Sequence, residues 1–323
     1  MANVDISKLP AFSELPVKKG APPDSSWGLF GDDDHIGTLN LLSETGVVQA
    51  AQLVRKGKVF RLDTPIAYAD PPLFGRAPVK HTITKFPDFF AYDDKLDEYN
   101  TQEGAQWDGL AHVGHPVYDR FYNDTKITDI KSGPDGRLGI HHWANKVVGR
   151  GVLVDVFKYC NDEGRPRNPG EAEEYTVEDL DGAIKAQGVE VRPADILLVR
   201  TGWMQHYLNS SPEAKKGMGP MDGLTSIGLD HRREMAAWLW DHHLAALGTD
   251  CPAVETWPWK DFEKDALHYR TLALLGLPIG EQFVLDALAE DCVQDGVWEC
   301  MLVSVPLNLV GGIASPPNAV AIK

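Results

Sequence analysis

Cysteine, basic residues and long apolar runs are all scarce in this sequence, and each scarcity argues against a class of protein. The 323 residues hold four cysteines with no C-x-x-C pair, which favours buried thiols over disulfides or a zinc knuckle. Lysine and arginine number 31 against 47 acidic residues, and the net charge of −16 argues against nucleic acid and anionic membranes as partners. No apolar run approaches membrane-spanning length.

The N-terminal residues show no basic segment followed by an apolar one, so we expect no secretory signal and a cytoplasmic protein. Residues 1–26 are rich in proline and polar residues and predict an irregular arm. Residues 27–323 show no break in composition and predict a single domain, long enough to bury a large core. An apolar content of 43% and a charged content of 24% are typical of a soluble globular enzyme.

Candidate helices and strands alternate along the chain without a repeat, which predicts one α/β domain with a mixed sheet and flanking helices. The predicted helices follow Ser43 up to Gly57, follow Thr176 up to Gly188, and cover 229–243, 267–275 and 281–289. The predicted strands cover 58–66, 81–86, 151–157, 195–200, 244–249 and 298–307. Residues 68–79 predict a loop, and 119–145 a long surface excursion.

The stretch 101–115, TQEGAQWDGLAHVGH, carries the densest set of polar side chains. If it is extended, its period of two places Gln102, Gln106, Asp108 and His112 on one face. Trp107 then points the other way, into packing. A carboxylate, an imidazole and two amides on one face need water, protein partners or a metal. A solvated edge strand is the alternative.

Other polar residues follow apolar segments. Asp250 and Glu255 come after a short strand, where ligands often gather in α/β sheets, although a helix cap and a solvated acid are the favoured explanation. His268 opens one predicted helix and Glu281 the next, and a helix N-terminus alone favours an acid. The sequence has no G-x-S-x-G, P-loop, G-x-G-x-x-G or H-E-x-x-H motif, which argues against serine hydrolases and dinucleotide enzymes.

Residues 102–112, Q-E-G-A-Q-W-D-G-L-A-H, resemble H-x-G-T-H-x-D-x-P-x-H, the hallmark of the cyclase family of metal-dependent hydrolases. That family includes bacterial kynurenine formamidase and isatin hydrolase. Gly104, Asp108 and His112 match, whereas Gln102 and Gln106 stand where the family has histidines. The resemblance extends through WGLFGDDDHIGTLN, ILLVRTGW, HYRTLALLGLPIGE and VPLNLVGGIASPP.

The resemblance implies the swivelling β/β/α domain of that family and a metal site completed by His268 and Glu281. With Asp108, Gln102 and Gln106 the ligand shell becomes rich in oxygen. We therefore expect one divalent ion, manganese or zinc with magnesium as a third choice, and weaker zinc binding than in the family. That no metal binds is the alternative.

The implied activity is hydrolysis of an amide, lactam, N-formyl or lactone bond in a small, planar substrate. His112 is the candidate general base, with Glu281 as a second catalytic candidate; His112 as a mere buttress is the alternative. The candidate substrate contacts are Trp27, Phe30, Trp107, Trp203 and His115. A metal-independent cyclase, dehydratase or isomerase using His112 and Asp108, or a silent small-molecule-binding protein, stays open. The resemblance and the N-terminal arm also predict a homo-oligomer, a dimer or tetramer.

Overall fold

A large mixed sheet organises residues 4–323, which are the residues that this computed structural model describes. The strands in this range are β1 (Val59–Arg61), β2 (Lys80–Lys85), β3 (Tyr92–Asp97), β4 (Gln106–Asp108), β5 (Val148–Val154), β6 (Glu174–Tyr175), β7 (Ile196–Val199), β8 (Gly228–Leu229), β9 (Ala246–Thr249), β10 (Ile279–Glu281), β11 (Glu299–Ser304), β12 (Ala314–Ser315) and β13 (Ala319–Ile322). Within the same range, nine strands form the large sheet in the order β1-β13-β11-β5-β7-β9-β10-β4-β12. Strands β2 and β3 form a separate hairpin, and β6 pairs with β8.

The centre of the large sheet is parallel and its two ends are antiparallel. Strands β5, β7, β9 and β10 run parallel, and every residue of β7 and β9 is buried. Burial on both faces explains why these strands are nearly continuous apolar runs in the sequence. The antiparallel strand β4 adds to β10 and carries the focal polar stretch to the sheet.

Helices cover the sheet, as predicted. They are α1 (Glu44–Ala51), α2 (Val156–Asp162), α3 (Val177–Gln187), α4 (Trp203–Asn209), α5 (Pro212–Met218), α6 (Arg233–Asp241), α7 (Leu267–Tyr269) and α8 (Asp286–Asp295). Helix α7 continues as a π-helix over Arg270–Leu275. No helix among residues 4–323 is long and apolar enough to cross a bilayer.

Two helix starts confirm the predictions made from capping residues. The Ser43 hydroxyl accepts a hydrogen bond from the Gly46 amide at the start of α1, and Thr176 forms a capping box with Asp179 at the start of α3. Helix α3 ends at Gly188, which has a φ of 64°. Helix α1, in contrast, ends at Ala51 and not near Gly57.

The expectation that Glu281 opens a helix is wrong. Glu281 is the last residue of strand β10 and pairs with Gln106 of β4, and the next helix begins at Asp286. Pairing with β4 and β9 on its two sides holds this short segment extended. Glu281 therefore faces its neighbours across the sheet and does not cap a helix.

The predicted surface excursion at 119–145 is only partly at the surface. Tyr122, Ile140 and Trp143 are fully buried, and short 3-10 helices cover Tyr122–Asp124, Ile127–Asp129 and Ile140–Trp143. These apolar side chains attach the otherwise polar segment to the core.

The N-terminal arm contacts helix α6 of its own chain through Pro10 and Phe12. The Phe12 ring is buried, and the Phe12 amide donates to the Asp241 carboxylate at 2.7 Å. The Trp240 indole N–H donates to the Pro10 carbonyl at 2.9 Å. The placement of a domain boundary at residue 26 stays a prediction.

Candidate active site

The polar side chains of residues 102–112 meet through turns and not on one extended face. Only Gln106–Asp108 forms a strand, and the His112 amide donates to the Gly109 carbonyl in a turn. The single extended face predicted for this stretch is therefore wrong, because the chain turns before β4, where the Glu103 amide donates to the Asn100 carbonyl, and again after it at Gly109–His112. The turns nevertheless bring Gln102 and His112 back to Asp108.

Asp108 is the centre of the group and is fully buried. Its Oδ1 accepts hydrogen bonds from Gln102 Nε2 at 2.9 Å and from Gln106 Nε2 at 3.0 Å. His112 Nε2 lies 3.9 Å from the same oxygen. Asp108 Oδ2 is buried without a hydrogen-bond partner among residues 4–323. A buried carboxylate oxygen left without a donor is costly, so this oxygen is available to a cation.

Glu281 joins the group from the neighbouring strand. Because β10 and β4 are antiparallel and Glu281 is paired with Gln106, the amide Nε2 of Gln106 reaches Glu281 Oε2 at 2.7 Å. Gln106 thus links the carboxylates of Asp108 and Glu281. Burial and the charge of Asp108 raise the pKa of Glu281.

His268 is held between two glutamates at the start of helix α7. Its Nδ1 lies 2.8 Å from Glu255 Oε1, and its Nε2 lies 3.1 Å from Glu281 Oε1. Glu255 also accepts the backbone amides of Leu267 and His268, so it is a helix cap as the sequence allowed, but it is fully buried and not solvated. Burial lowers the pKa of His268, and the hydrogen bonds with the two glutamates outweigh it and raise the pKa.

The members are together called the Asp108 cluster: Gln102, Gln106, Asp108, His112, His268 and Glu281. Asp108, His112 and His268 each offer a ligand atom, and these atoms lie within 4.8 Å of one another. Two imidazoles and a carboxylate are common ligands of zinc and manganese. Burial lowers the pKa of His112, which favours the neutral imidazole that a ligand or a base requires. Together with the free Oδ2 of Asp108, these donors fit a divalent metal ion.

Glu255 has the position of a residue that orients a metal ligand. In metal sites, a ligating histidine usually donates its second ring nitrogen to a carboxylate, which fixes the tautomer and the orientation of the ring. The contact between His268 Nδ1 and Glu255 has this form, and it leaves His268 Nε2 directed toward Glu281.

The two glutamines present their amide nitrogens to the carboxylates. Gln102 donates to Asp108, and Gln106 donates to both Asp108 and Glu281. Turning either amide would place its oxygen against a carboxylate oxygen with no proton between them. In this arrangement they hold the carboxylates in place, and their role as ligands stays a prediction.

Two of the predicted substrate contacts lie in the core. Trp107 points to the opposite side of β4, where its ring packs 5.1 Å from Phe283 and its N–H donates to Ser304. Trp27 is buried with its N–H donated to the Ala273 carbonyl. Packing uses the rings and backbone or side-chain acceptors use the N–H groups, and the role of both indoles as substrate contacts stays a prediction.

The remaining predicted contacts also lie outside the Asp108 cluster. Trp203 is fully buried and stacks on Tyr207 at 5.2 Å. Phe30 is half-buried beside the N-terminal arm. His115 packs 4.3 Å from the ring of Tyr269.

Other residues approach the cluster that the sequence analysis missed. The ring of Trp259 lies 5.2 Å from that of His268. The Tyr68 hydroxyl donates to Oε1 of Gln282, the residue after Glu281, at 2.5 Å. Arg76 comes from the segment 68–79, which the sequence marked only as a loop. No local pattern reveals these residues, although Trp259 does lie between Glu255 and His268 in the sequence.

The fold is α/β, and the Asp108 cluster contains three side chains that could hold a metal ion. A family model described as "Putative cyclase" matches residues 59–256, more than half of the chain, and the chain belongs to this cyclase family. The resemblance noted in the sequence is thereby confirmed. No curated protein matches the chain.

Solved structures agree on the fold. A structure described as a novel cyclase is 30% identical, covers 93% of this chain and 99% of its own, and superposes with a TM-score of 0.81. Isatin hydrolase A from Labrenzia aggregata, bound to benzyl benzoate, is 18% identical over 84% of this chain and 94% of its own, with a TM-score of 0.55. An isatin hydrolase bound to the product analogue thioisatinate is 15% identical over 87% and 98%, also with a TM-score of 0.55.

Proposed function

We propose that this protein is a metal-dependent hydrolase that opens an amide, lactam, N-formyl or lactone bond of a small planar substrate. The observation that carries the proposal is the approach of Asp108, His112 and His268 within 4.8 Å, beside a buried carboxylate oxygen with no partner in the described chain. A single manganese or zinc ion is the expected cofactor, with magnesium as the third choice. When bound, the ion would polarise the scissile carbonyl and lower the pKa of water.

Different residues of the cluster would bind the ion, position its ligands and transfer the proton. Asp108 and His268 would hold the ion, with Glu281 beside them, since Glu281 Oε1 lies 3.1 Å from His268 Nε2. Gln102 and Gln106 keep Asp108 in place through their amide N–H groups. His112, the least buried of the three metal-capable residues, would accept the proton of the attacking water.

One observation favours a second function, a metal-independent cyclase, dehydratase or isomerase. Gln106 already bridges the carboxylates of Asp108 and Glu281 with a neutral amide, where the family motif has histidine. His112 and Asp108, whose Nε2 and Oδ1 are 3.9 Å apart, could then exchange protons with a substrate directly.

Metal content and activity together test both functions. The purified protein is analysed for elements, treated with chelator, and screened on formamides, lactams and lactones before and after adding manganese, zinc or magnesium. We expect chelation to abolish turnover and manganese or zinc to restore it. Turnover that survives complete removal of metal would contradict the metal-dependent function and favour a metal-independent mechanism that uses His112 and Asp108. Metal binding without turnover on any compound would indicate a silent binding protein.

His112→Ala separates the roles of this histidine. If His112 is the base, turnover falls by roughly 10²–10⁴-fold while metal content is unchanged. If it is a ligand, metal content falls and excess metal partly restores turnover. If it is a buttress, the loss appears mainly in the free energy of unfolding. As a companion, Gln102→His with Gln106→His is expected to raise zinc affinity, because imidazole is the better zinc ligand.

A further inference from the structure

Arg76 enters the site from a tightly turned loop. The preceding residues Phe74 and Gly75 both have a positive φ, 60° and 66°, in a 3-10 turn. The Gly75 amide donates to the Gly219 carbonyl at 2.9 Å, which attaches the turn to the body of the protein. The guanidinium carbon of Arg76 then lies 5.0 Å from the centre of the Phe74 ring.

A series of aromatic contacts connects Arg76 to the Asp108 cluster. Phe74 packs against Trp257 at 5.1 Å, Trp257 against Trp259 at 4.9 Å, and Trp259 against His268 at 5.2 Å. The charges of Glu281 and Asp108 also act on Arg76: burial lowers its pKa, and these carboxylates oppose the change. Arg76 therefore interacts with the carboxylates of the cluster through charge and is joined to His268 through the aromatic side chains.

The guanidinium of Arg76 lacks a fixed partner. Its Nη1 is buried and has no hydrogen-bond acceptor within residues 4–323, and no ion pair of Arg76 occurs there. Arginine stays protonated in proteins, and a buried guanidinium N–H without an acceptor is costly. Arg76 Nη1 therefore needs an oxygen acceptor that the described part of the chain does not supply.

Two further buried N–H donors around the cluster also lack an acceptor within residues 4–323. Trp259 Nε1 and Gln282 Nε2 are buried, and neither has an acceptor in the described residues. The carbonyl oxygen of the Gln282 side chain is already taken by the Tyr68 hydroxyl. Gln282 has a φ of 58°, a backbone conformation that non-glycine residues rarely adopt and that recurs at ligand sites.

Five polar atoms around the Asp108 cluster that lack partners in the described chain are of two chemical kinds, acceptors and donors. Asp108 Oδ2 and Gln106 Oε1 are acceptors and suit a cation, as the proposed function requires. Arg76 Nη1, Trp259 Nε1 and Gln282 Nε2 are donors and suit an oxygen-rich, anionic group. A cation in addition to the proposed metal ion would pair with the acceptors but would leave the three donors without a partner.

We propose that Arg76 binds a carboxylate of the substrate, so that the substrate is a planar acyl compound that carries its own negative charge. A guanidinium recognises a carboxylate through two parallel N–H···O bonds. The buried Trp259 Nε1, whose ring lies 5.2 Å from that of His268, is a further donor for the same anionic group. The inference rests on the proposed function, because it assigns the substrate class of the same site. It makes Arg76 a specificity-determining residue.

Binding of benzoate tests the inference without turnover. Calorimetry compares benzoate with benzamide, its uncharged isostere, on the full chain after chelator treatment and again after loading with manganese. We expect benzoate to bind the chelated protein and benzamide to bind much more weakly. Since the chelated protein carries no ion, a failure of the proposed metal function leaves this result intact.

Arg76→Gln is expected to weaken benzoate binding roughly 10- to 100-fold, the usual effect of losing a charge-assisted pair, without changing benzamide binding. Arg76→Lys keeps the charge and loses the paired N–H groups, so we expect a smaller loss; it carries the test if Arg76→Gln fails to fold. Lys80→Gln removes one positive charge from an exposed site four residues away and is the matched control, expected to bind benzoate as the parent protein does.

Equal benzoate affinity in the parent protein and in Arg76→Gln would overturn the inference and leave Arg76 as a counter-charge to Asp108 and Glu281. Benzoate binding that requires manganese and ignores both Arg76 substitutions would also overturn it, because the carboxylate would then be on the ion. A loss in Lys80→Gln as large as in Arg76→Gln would reduce the effect to net charge and would equally overturn it.

Discussion

The buried carboxylate of Glu255 positions the His268 ring. It contacts Nδ1 of His268 and accepts both backbone amides at the start of α7, so one side chain fixes the ring and the turn that carries it. Such outer carboxylates set the orientation and basicity of the ligand without touching the ion. Glu255 is therefore a positioning residue.

Glu255→Gln should weaken manganese and zinc binding roughly 10- to 100-fold, the range for losing such a partner. The amide can still accept one backbone N–H but no longer carries the charge that stabilises His268. Competition with a chromophoric chelator measures the affinity, and excess metal should restore most of the turnover. Glu299→Gln, which removes a carboxylate that pairs with Arg150 instead, is the control. Unchanged affinity in Glu255→Gln would contradict the role.

The sequence predicted those site residues that belong to a motif. It missed the residues that only tertiary contacts bring near the Asp108 cluster. Asp108, His268 and Glu281 match a family pattern by residue type, and the fold brings all three together. Arg76 and Trp259 have no such pattern. Their proximity depends on the turn at Phe74 and on aromatic packing between segments far apart in the chain.

Helix α3 shows how far local signals determine an element. Its start depends on Thr176 and Asp179, three residues apart, and its end on Gly188, so all the information lies within the helix. Strand β10 is the opposite case. Its three residues are held by hydrogen bonds to β4 and β9, and nothing within EQFVLDALA, the predicted helix 281–289, shows that Glu281 ends a strand.

Thr176→Ala is expected to lower the free energy of unfolding by about 1 kcal/mol, because the Asp179 amide loses the Thr176 hydroxyl as an acceptor and keeps only the Thr176 carbonyl. Urea denaturation measures the change. Ser43→Ala, at the equivalent position of α1, should cost a similar amount, since Ser43 Oγ accepts the Gly46 amide at 3.1 Å. If neither substitution moves the midpoint, capping does not contribute to these helices.

Three lysines from two distant parts of the chain converge on Asp291 of α8. Lys56 and Lys58 precede strand β1, and Lys323 follows strand β13. Burial acts to raise the pKa of Asp291, but hydrogen bonds from the three lysines outweigh it and hold the pKa well below its usual range. The cluster therefore joins one edge of the sheet to α8.

Asp291→Asn should destabilise the protein by about 2 kcal/mol near neutral pH, as expected for losing hydrogen bonds to charged groups. Because the folded pKa is depressed, this stability is fully present above the unfolded aspartate pKa of about 3.9 and is lost as the pH falls below it. Urea unfolding at several pH values should show the parent and variant converging in acid. Asp88→Asn, at an exposed turn, should follow the parent throughout. A difference that stays constant with pH would contradict this origin.

For the assembly of the whole molecule we propose a homo-oligomer, and the hairpin β2–β3 offers a place to test it. The N-terminal arm gives no support, because it packs on α6 of its own chain. The hairpin is different: all its strand residues but one are exposed, and Phe89 and Phe90 in its turn are 70% and 100% exposed. A two-stranded hairpin is marginally stable alone, and contact with a second copy would cover its aromatic rings.

Light scattering should give a multiple of the 35.6 kDa chain mass at micromolar concentration. Phe89→Ser with Phe90→Ser should shift the protein toward the monomer, because it removes the exposed rings without touching the large sheet. Ile127→Ser, an equally exposed apolar position in a 3-10 turn, is the control and should leave the mass unchanged. A parent protein that scatters as a monomer would refute the homo-oligomer. An oligomer that is indifferent to the hairpin substitutions would place the contact between copies on another surface.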